Sequence, residues 1–359
     1  MSHLASTFKG KKVFLTGHTG FKGSWMWQVL HHLGATVQGY ALPPQPSDLF
    51  AQIANEDLGF SMLEDIRNSE KLEAALLSFQ PDFVFHLAAQ ALVKESYQDP
   101  VQTYNTNVMG TLYLLEAIRK LEQPCTVVLI TTDKVYENPE TGIPFLEEDN
   151  LGGYDPYSSS KACDEILISS YRRSFFPQEK FEQHQKSIAT VRAGNVIGGG
   201  DMAADRIIPD IVRAIQKDEA VLLRNPQAVR PWQHVLEPVY AYLLLAQKMS
   251  EQSLAFNTAY NIGPEAADNL TVMEVAQTFI AAFGKGSIAL DTAHHHPHEA
   301  QFLRLNTEKI KNEIGFKPVL DARTAIDWTA QWYANTQDAA AAKCKQQIQA
   351  YLSLQEKNV

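Results

Sequence analysis

The eight residues TGHTGFKG, Thr16 to Gly23, constrain the fold of this chain more than any other stretch. They follow a short apolar run, KVFL, and lead into GSWMWQVLHHLG, whose apolar residues recur at helical spacing and stop at Gly34. Gly17, Gly20 and Gly23 therefore lie in a turn between a strand and a helix. A turn this tight needs residues without a Cβ, so that backbone N–H groups and the helix N-terminus can approach a pyrophosphate. Three glycines alone would be a weak signal; between a strand and a helix they read as a nucleotide-binding loop.

The alternation continues beyond the loop. TVQGY, PDFVFHLAA, CTVVLITT and SIATVRAGN are further β-rich runs, and helical stretches fall near 100–121 and 157–175. Strands alternating with helices predict an α/β chain with a parallel sheet covered on both faces. After about residue 195 the alternation weakens, and prolines at 209, 226, 231, 238 and 264 punctuate shorter elements. The expectation is a first domain over 1–194 and a smaller ligand-binding α/β domain over 195–359, with some exchange of chain between them. The Ala- and Gln-rich tail DAAAAKCKQQIQAYLSLQ reads as a surface or subunit-packing helix.

At 359 residues the chain can bury a large core. Its formal charge of −10 argues against nucleic acid or an anionic membrane as partner, since a broadly acidic surface repels both. Cys125, Cys163 and Cys344 are too far apart in sequence to suggest a metal pattern or a disulfide framework. The N-terminal residues carry no apolar core of signal-peptide length, and no run reaches the roughly 18 residues of a membrane span. A cytoplasmic protein is expected.

Two clusters carry chemistry. YSSSK places Tyr157 and Lys161 four residues apart on one helix face. A fixed lysine cation beside a phenol favours the phenolate, which suits tyrosine to act as a base. In LITTDKVYEN an apolar strand runs into Asp133 and Lys134, side by side at its end. A solvated surface ion pair, worth little, is the bland explanation.

The glycine spacing and the Tyr-x-x-x-Lys pair, in this order, resemble the extended branch of the short-chain dehydrogenase/reductase superfamily, whose members act on nucleotide-activated sugars. That resemblance implies a Rossmann-type doubly wound sheet with a smaller substrate domain. It also implies NAD, held by Gly17, Thr19, Gly20, Phe21 and Gly23, by Asp65 and Ile66 in LEDIR, by Leu87, Ala88 and Ala89 in HLAAQ, and by Tyr157 and Lys161. One departure stands out: the second strand ends in Tyr40 and Ala41, without the acid that usually binds the adenosine ribose. No arginine pair stands there for a 2′-phosphate either, so NAD is expected to bind weakly, with Ser47 or backbone replacing the carboxylate.

Epimerases of this branch lack an acid–base pair after the catalytic Ser or Thr, whereas its 4,6-dehydratases carry one, usually Asp-Glu. Thr132-Asp133-Lys134 therefore resembles elimination chemistry. GHTGFKGSW, QALVKESYQDP, TTDKVYEN, RAGNVIGGGD and RPWQHV together resemble the CDP-glucose 4,6-dehydratases. The resemblance implies CDP-glucose as substrate and a 4-keto-6-deoxy sugar as product, feeding deoxysugar synthesis of the O-antigen type. Thr132 and Tyr157 would serve the sugar 4-hydroxyl, Asp133 would protonate the leaving 6-hydroxyl and Lys134 would take the C5 proton.

For the substrate it implies Gln90, Lys94, Ser96, Asn195, Arg206, Arg230 and His234. Arg192 and Arg206 are equally readable as partners of an acid or a helix end, and Trp232 as core or pocket lining. The run His294–His298 reads as a loop near the nucleotide pocket in preference to a metal site, and no metal is expected. Pairing of the helices near 100–121 and 157–175 would give a homodimer or homotetramer. Two rivals remain: a dehydratase or epimerase for another nucleotide sugar, and a catalytically silent nucleotide-binding protein on the same fold.

Overall fold

The computed structural model describes residues 3–54, 60–265, 268–291 and 302–357. Seven strands form its central sheet: β1 (Lys12–Thr16), β2 (Thr36–Ala41), β3 (Phe60–Leu63), β4 (Phe83–His86), β5 (Cys125–Ile130), β6 (Lys186–Ala193) and β7 (Ala259–Ile262). Their order is β3-β2-β1-β4-β5-β6-β7, and every neighbouring pair is parallel. The order reverses direction between β1 and β4, which makes the carboxyl ends of those strands the crevice where α/β sheets bind ligands. β5 and β6 are buried along their whole length, as strands sandwiched between two helical layers must be.

One apolar layer lies under helix α1 (Phe21–His32), with Trp25, Met26 and Leu30 packed against Val13, Leu15 and Val128. The opposite layer packs Leu72, Leu76, Leu114, Ile118 and Ile168 onto Phe14, Val84 and Val127. A third cluster, around Ile211, Phe279 and Ile326, forms the core of the C-terminal lobe. That lobe holds three two-stranded pairings, 196–197 with 233–234, 229–231 with 269–271, and 220–223 with 287–290. The chain also returns from it: helix Leu236–Glu251 packs into the α1 layer, and β7 closes the sheet beside β6.

β7 has no counterpart among the strands expected from sequence. Four residues, AYNI, carry little pattern of their own, and pairing with β6 decides their conformation. The tail does form a helix, Ala340–Lys357, but it packs on the chain's own core through Cys344, Ile348 and Tyr351. No helix among the described residues is long and apolar enough to cross a membrane.

Candidate active site

The glycine loop is wound tightly. Gly17 has φ +71°, and a Cβ there would lie 2.6 Å from the Ala88 nitrogen; one on Gly23 would lie 2.1 Å from the Gly17 carbonyl oxygen. Only glycine lets β1 turn directly against the end of β4 while Gly20 leads into α1 at Phe21. Phe21 packs against the core beside the loop, and the Thr19 hydroxyl donates to the Leu42 carbonyl at 2.9 Å, tying the loop to the end of β2. Leu87, Ala88 and Ala89 stay partly open on the facing edge. This cradle, with a helix N-terminus at its base, fits a dinucleotide pyrophosphate.

Farther along the cleft, Ile66 is buried and Asp65 is partly exposed. Both Asp65 oxygens accept from Arg67, which holds the carboxyl below the usual carboxylate range. Tyr40 is buried and donates to the Asp65 carbonyl at 3.2 Å, while Ser47 is exposed and its carbonyl holds Gln52.

The candidate pair Tyr157 and Lys161 sits on helix α2 (Pro156–Ser174). Asp155 caps it, accepting from the Ser158 N–H at 3.0 Å, and Pro156 opens its first turn, so Tyr157 and Lys161 fall one turn apart at the cleft end. A π-helical turn over Asn105–Met109 faces this helix. From it, Asn107 binds both the N–H and the carbonyl of Gln90, at 2.8 and 3.1 Å, and donates to Ser160 at 2.8 Å. The loop after β4 is thereby fastened to α2.

β5 runs out at Thr131 and Thr132, whose hydroxyls point to opposite sides. Thr131 donates to Glu165 at 2.6 Å, and Thr132 donates to Asp133 at 3.0 Å. A 3₁₀ turn then carries Asp133 and Lys134. Asp133 is 2% exposed, and its second oxygen has no hydrogen-bond partner among the described residues. Burial pushes its carboxyl above the ordinary range, against the pull of Lys134, the Thr132 hydroxyl, Arg230 and Lys22. The pair is no surface ion pair: its acid is enclosed and inclined to hold a proton.

Lys22, from the glycine loop, belongs to the same cluster and was absent from the sequence expectations. It lies 3.4 Å from the Tyr242 hydroxyl. Burial depresses its ammonium to about 8, helped by Arg206 and Lys161 and opposed by Asp133. Its signal was a lysine in the first turn of a nucleotide-binding helix, where a cation is unfavourable unless it faces an anion. Asp164 was missed as well. It binds the Lys161 ammonium at 2.6 Å, a contact that the i,i+3 spacing of Lys-x-x-Asp on a helix could have signalled.

The substrate candidates divide. Arg230 is buried within electrostatic reach of Asp133. Arg206 pairs with Asp201 at 3.0 Å and keeps about a third of its side chain (37%) exposed. Lys94 is exposed and reaches Asp205. Asn195 is partly open between β6 and the 196–197 strand. Gln90 and Ser96 are wall residues: the Gln90 amide is bound to Leu92 and Thr103, and the Ser96 hydroxyl donates to Val93.

His234 does not reach the cleft. It is 0% exposed, lying edge-on to Trp25 and Trp328, and burial depresses its imidazole to about 3. Apolar surroundings on both sides took it into the core. Trp232 is core as well, donating to Leu270 at 3.0 Å, and Arg192 pairs with buried Glu165. His294–His298 lie outside the described residues, among which no group of three acidic, His or Cys side chains could hold a metal ion.

The family model for GDP-mannose 4,6-dehydratase matches residues 14–329. A CDP-glucose 4,6-dehydratase of Salmonella typhimurium is 44% identical over 328 residues, 91% of either chain. Among solved structures, a UDP-glucose 4-epimerase of Thermus thermophilus in complex with NAD is 25% identical, with TM-score 0.75 over 90% of this chain and 99% of that one. A dTDP-glucose 4,6-dehydratase of Streptomyces venezuelae, at 22% identity, shares the fold with TM-score 0.77 over 91% of this chain and 98% of that one. The chain belongs to the GDP-mannose 4,6-dehydratase family, within the epimerases and dehydratases of the extended short-chain dehydrogenase/reductase fold.

Proposed function

We propose that this protein is an NAD-dependent hydro-lyase that converts CDP-glucose to CDP-4-keto-6-deoxyglucose. The observation that carries the reading is Asp133, an enclosed carboxyl inclined to hold a proton, with one oxygen that has no partner among the described residues, at the end of β5. An epimerase has no use for an acid there, whereas elimination of water needs one. The nucleotide and sugar rest on the 44% identical relative. The glycine cradle and Leu87 to Ala89 would hold the cofactor, which supplies a hydride acceptor at C4 and returns the hydride at C6.

The chain's own residues move the protons. Tyr157 takes the proton of the 4-hydroxyl, with Thr132 beside it and Lys161 one turn away. The C4 ketone acidifies the C5 hydrogen, Lys134 removes it, and Asp133 protonates the departing 6-hydroxyl. Arg230, Arg206 and Asn195 are proposed for the diphosphate, because guanidinium groups bind phosphate oxygens in pairs. The product suits deoxysugar synthesis.

The test incubates the protein with CDP-, UDP-, dTDP- and GDP-hexoses and follows the 4-keto product. Fast turnover of CDP-glucose alone is expected; equal rates with dTDP-glucose overturn the base assignment and leave the reaction type standing. In Lys134→Met, NADH formation should persist while C5 exchange with deuterated solvent stops. Wild-type exchange in that variant removes Lys134 as the base.

Self-association is proposed through the face where Tyr97, Val101 and Ile166 are exposed on the helices near 93–104 and on α2. A monomer in light scattering at micromolar concentration refutes it.

A further inference from the structure

Lys161 and Asp164 form an ion pair at 2.6 Å with side chains only 3% and 1% exposed. The second Asp164 oxygen has no hydrogen-bond partner among the described residues. Burying such a pair is rarely a gain in stability over an apolar side chain of similar volume, because two charges lose their water. Beyond Lys161, only the nearby Thr111 hydroxyl offsets the burial of the Asp164 carboxyl, and burial outweighs both. Packing alone does not account for an acid here.

The charge does something definite. Lys161 favours ionisation of a neighbouring phenol, and a carboxylate bound to its ammonium offsets that influence. Two of the three ammonium N–H groups have no partner among the described residues, so Asp164 anchors the lysine while leaving it able to bind on its open side. Glu165 and Cys163 on the same helix, and the Thr111 hydroxyl opposite, also face Asp164. His86 and Lys22 face Lys161. His86 cannot replace the acid: burial, with Lys161 beside it, depresses its imidazole to about 3, and both ring nitrogens are bonded to Thr16 and Thr111.

We infer that Asp164 is a positioning residue for the reaction, fixing the Lys161 ammonium and offsetting its charge, so that a Tyr157–Lys161–Asp164 triplet sets the pH at which C4 oxidation switches on. The inference rests on Tyr157 being the base of the proposed reaction. Burial holds the Asp164 carboxyl up at about 6, against the pull of Lys161 and Thr111, so its offset is complete only above that pH.

The test compares wild type, Asp164→Asn and Tyr157→Phe. With the carboxylate charge gone, the lysine acts on the phenol undiminished, and the acid limb of kcat/KM should move to lower pH by about one unit. The same shift should appear without cofactor or substrate, in the ultraviolet absorbance of tyrosinate, within the component that Tyr157→Phe lacks. If Asp164→Asn does not fold, Asp164→Ser serves in the same titrations. An unmoved acid limb and tyrosinate titration, in a variant that folds and turns over, overturn the inference. Loss of turnover in wild type itself would instead count against the proposed function, which keeps the two failures apart.

Discussion

Asp164 and Glu165 are consecutive, both buried, and on one helix, yet they are held in opposite ways. Glu165 accepts from Thr131 at 2.6 Å, Thr190 at 2.9 Å and Arg192 at 2.9 Å, so both its oxygens are satisfied. Burial alone would raise its carboxyl; Arg192 and the two threonines outweigh that and keep it below the usual carboxylate range. Asp164 has one cation, the Thr111 hydroxyl nearby and a carboxyl that burial still raises to about 6. The helix turns the two acids to different neighbours. One meets a hydrogen-bond network that continues through Arg192 to Tyr136 and Asn261, and the other meets the lysine at the cleft. A fully satisfied buried acid holds the fold together, while an under-satisfied one has its cost explained only by chemistry.

The largest effect that follows is on folding. Glu165→Ala leaves the Arg192 guanidinium buried without its counter-ion, and a loss of about 3–5 kcal/mol is expected in denaturant unfolding. Glu165→Gln should lose less and leave the pH profile of activity where it is. The comparison breaks if Asp164→Ala destabilises as much as Glu165→Ala, or if Glu165→Gln moves the acid limb as Asp164→Asn is expected to.

What could be read from sequence was what lies close together in it. The glycine loop, Tyr157 with Lys161, and Thr132 to Lys134 are each set by a few consecutive residues, because a tight turn or one helical turn fixes their geometry. Arg192 could be seen to need a partner, but Glu165 lies 27 positions away and only the pairing of β5 with β6 beside α2 brings them together. His234 looked like a ligand group because it follows Arg230. Its enclosure depends on Trp25, 209 positions earlier, and on Trp328. The π-helical turn that aims Asn107 at Gln90 leaves no mark in the helical spacing around it.

Asp133 offers the finer test, because it shares Asp164's condition at the end of a strand. Its carboxyl is raised by burial, with Lys134, Thr132, Arg230 and Lys22 offsetting only part of the rise. A carboxyl whose folded pKa lies above its unfolded one binds its proton more tightly in the native state. Its contribution to stability is therefore full below the unfolded carboxylate range and is lost as pH rises through the folded value. Asp133→Asn removes that loss. The variant should exceed wild type in melting temperature at neutral pH and lose that advantage as pH falls below the ordinary carboxylate range, with a gain smaller than the loss in Glu165→Ala. Water elimination should meanwhile fall by about 10²–10⁴-fold, the usual range for a general acid, with NADH still formed from CDP-glucose. Melting curves that stay parallel across the pH range would mean that folding leaves the proton affinity of the Asp133 carboxyl unchanged. It would then be ionised at neutral pH, and the proton for the 6-hydroxyl would have to come from another group.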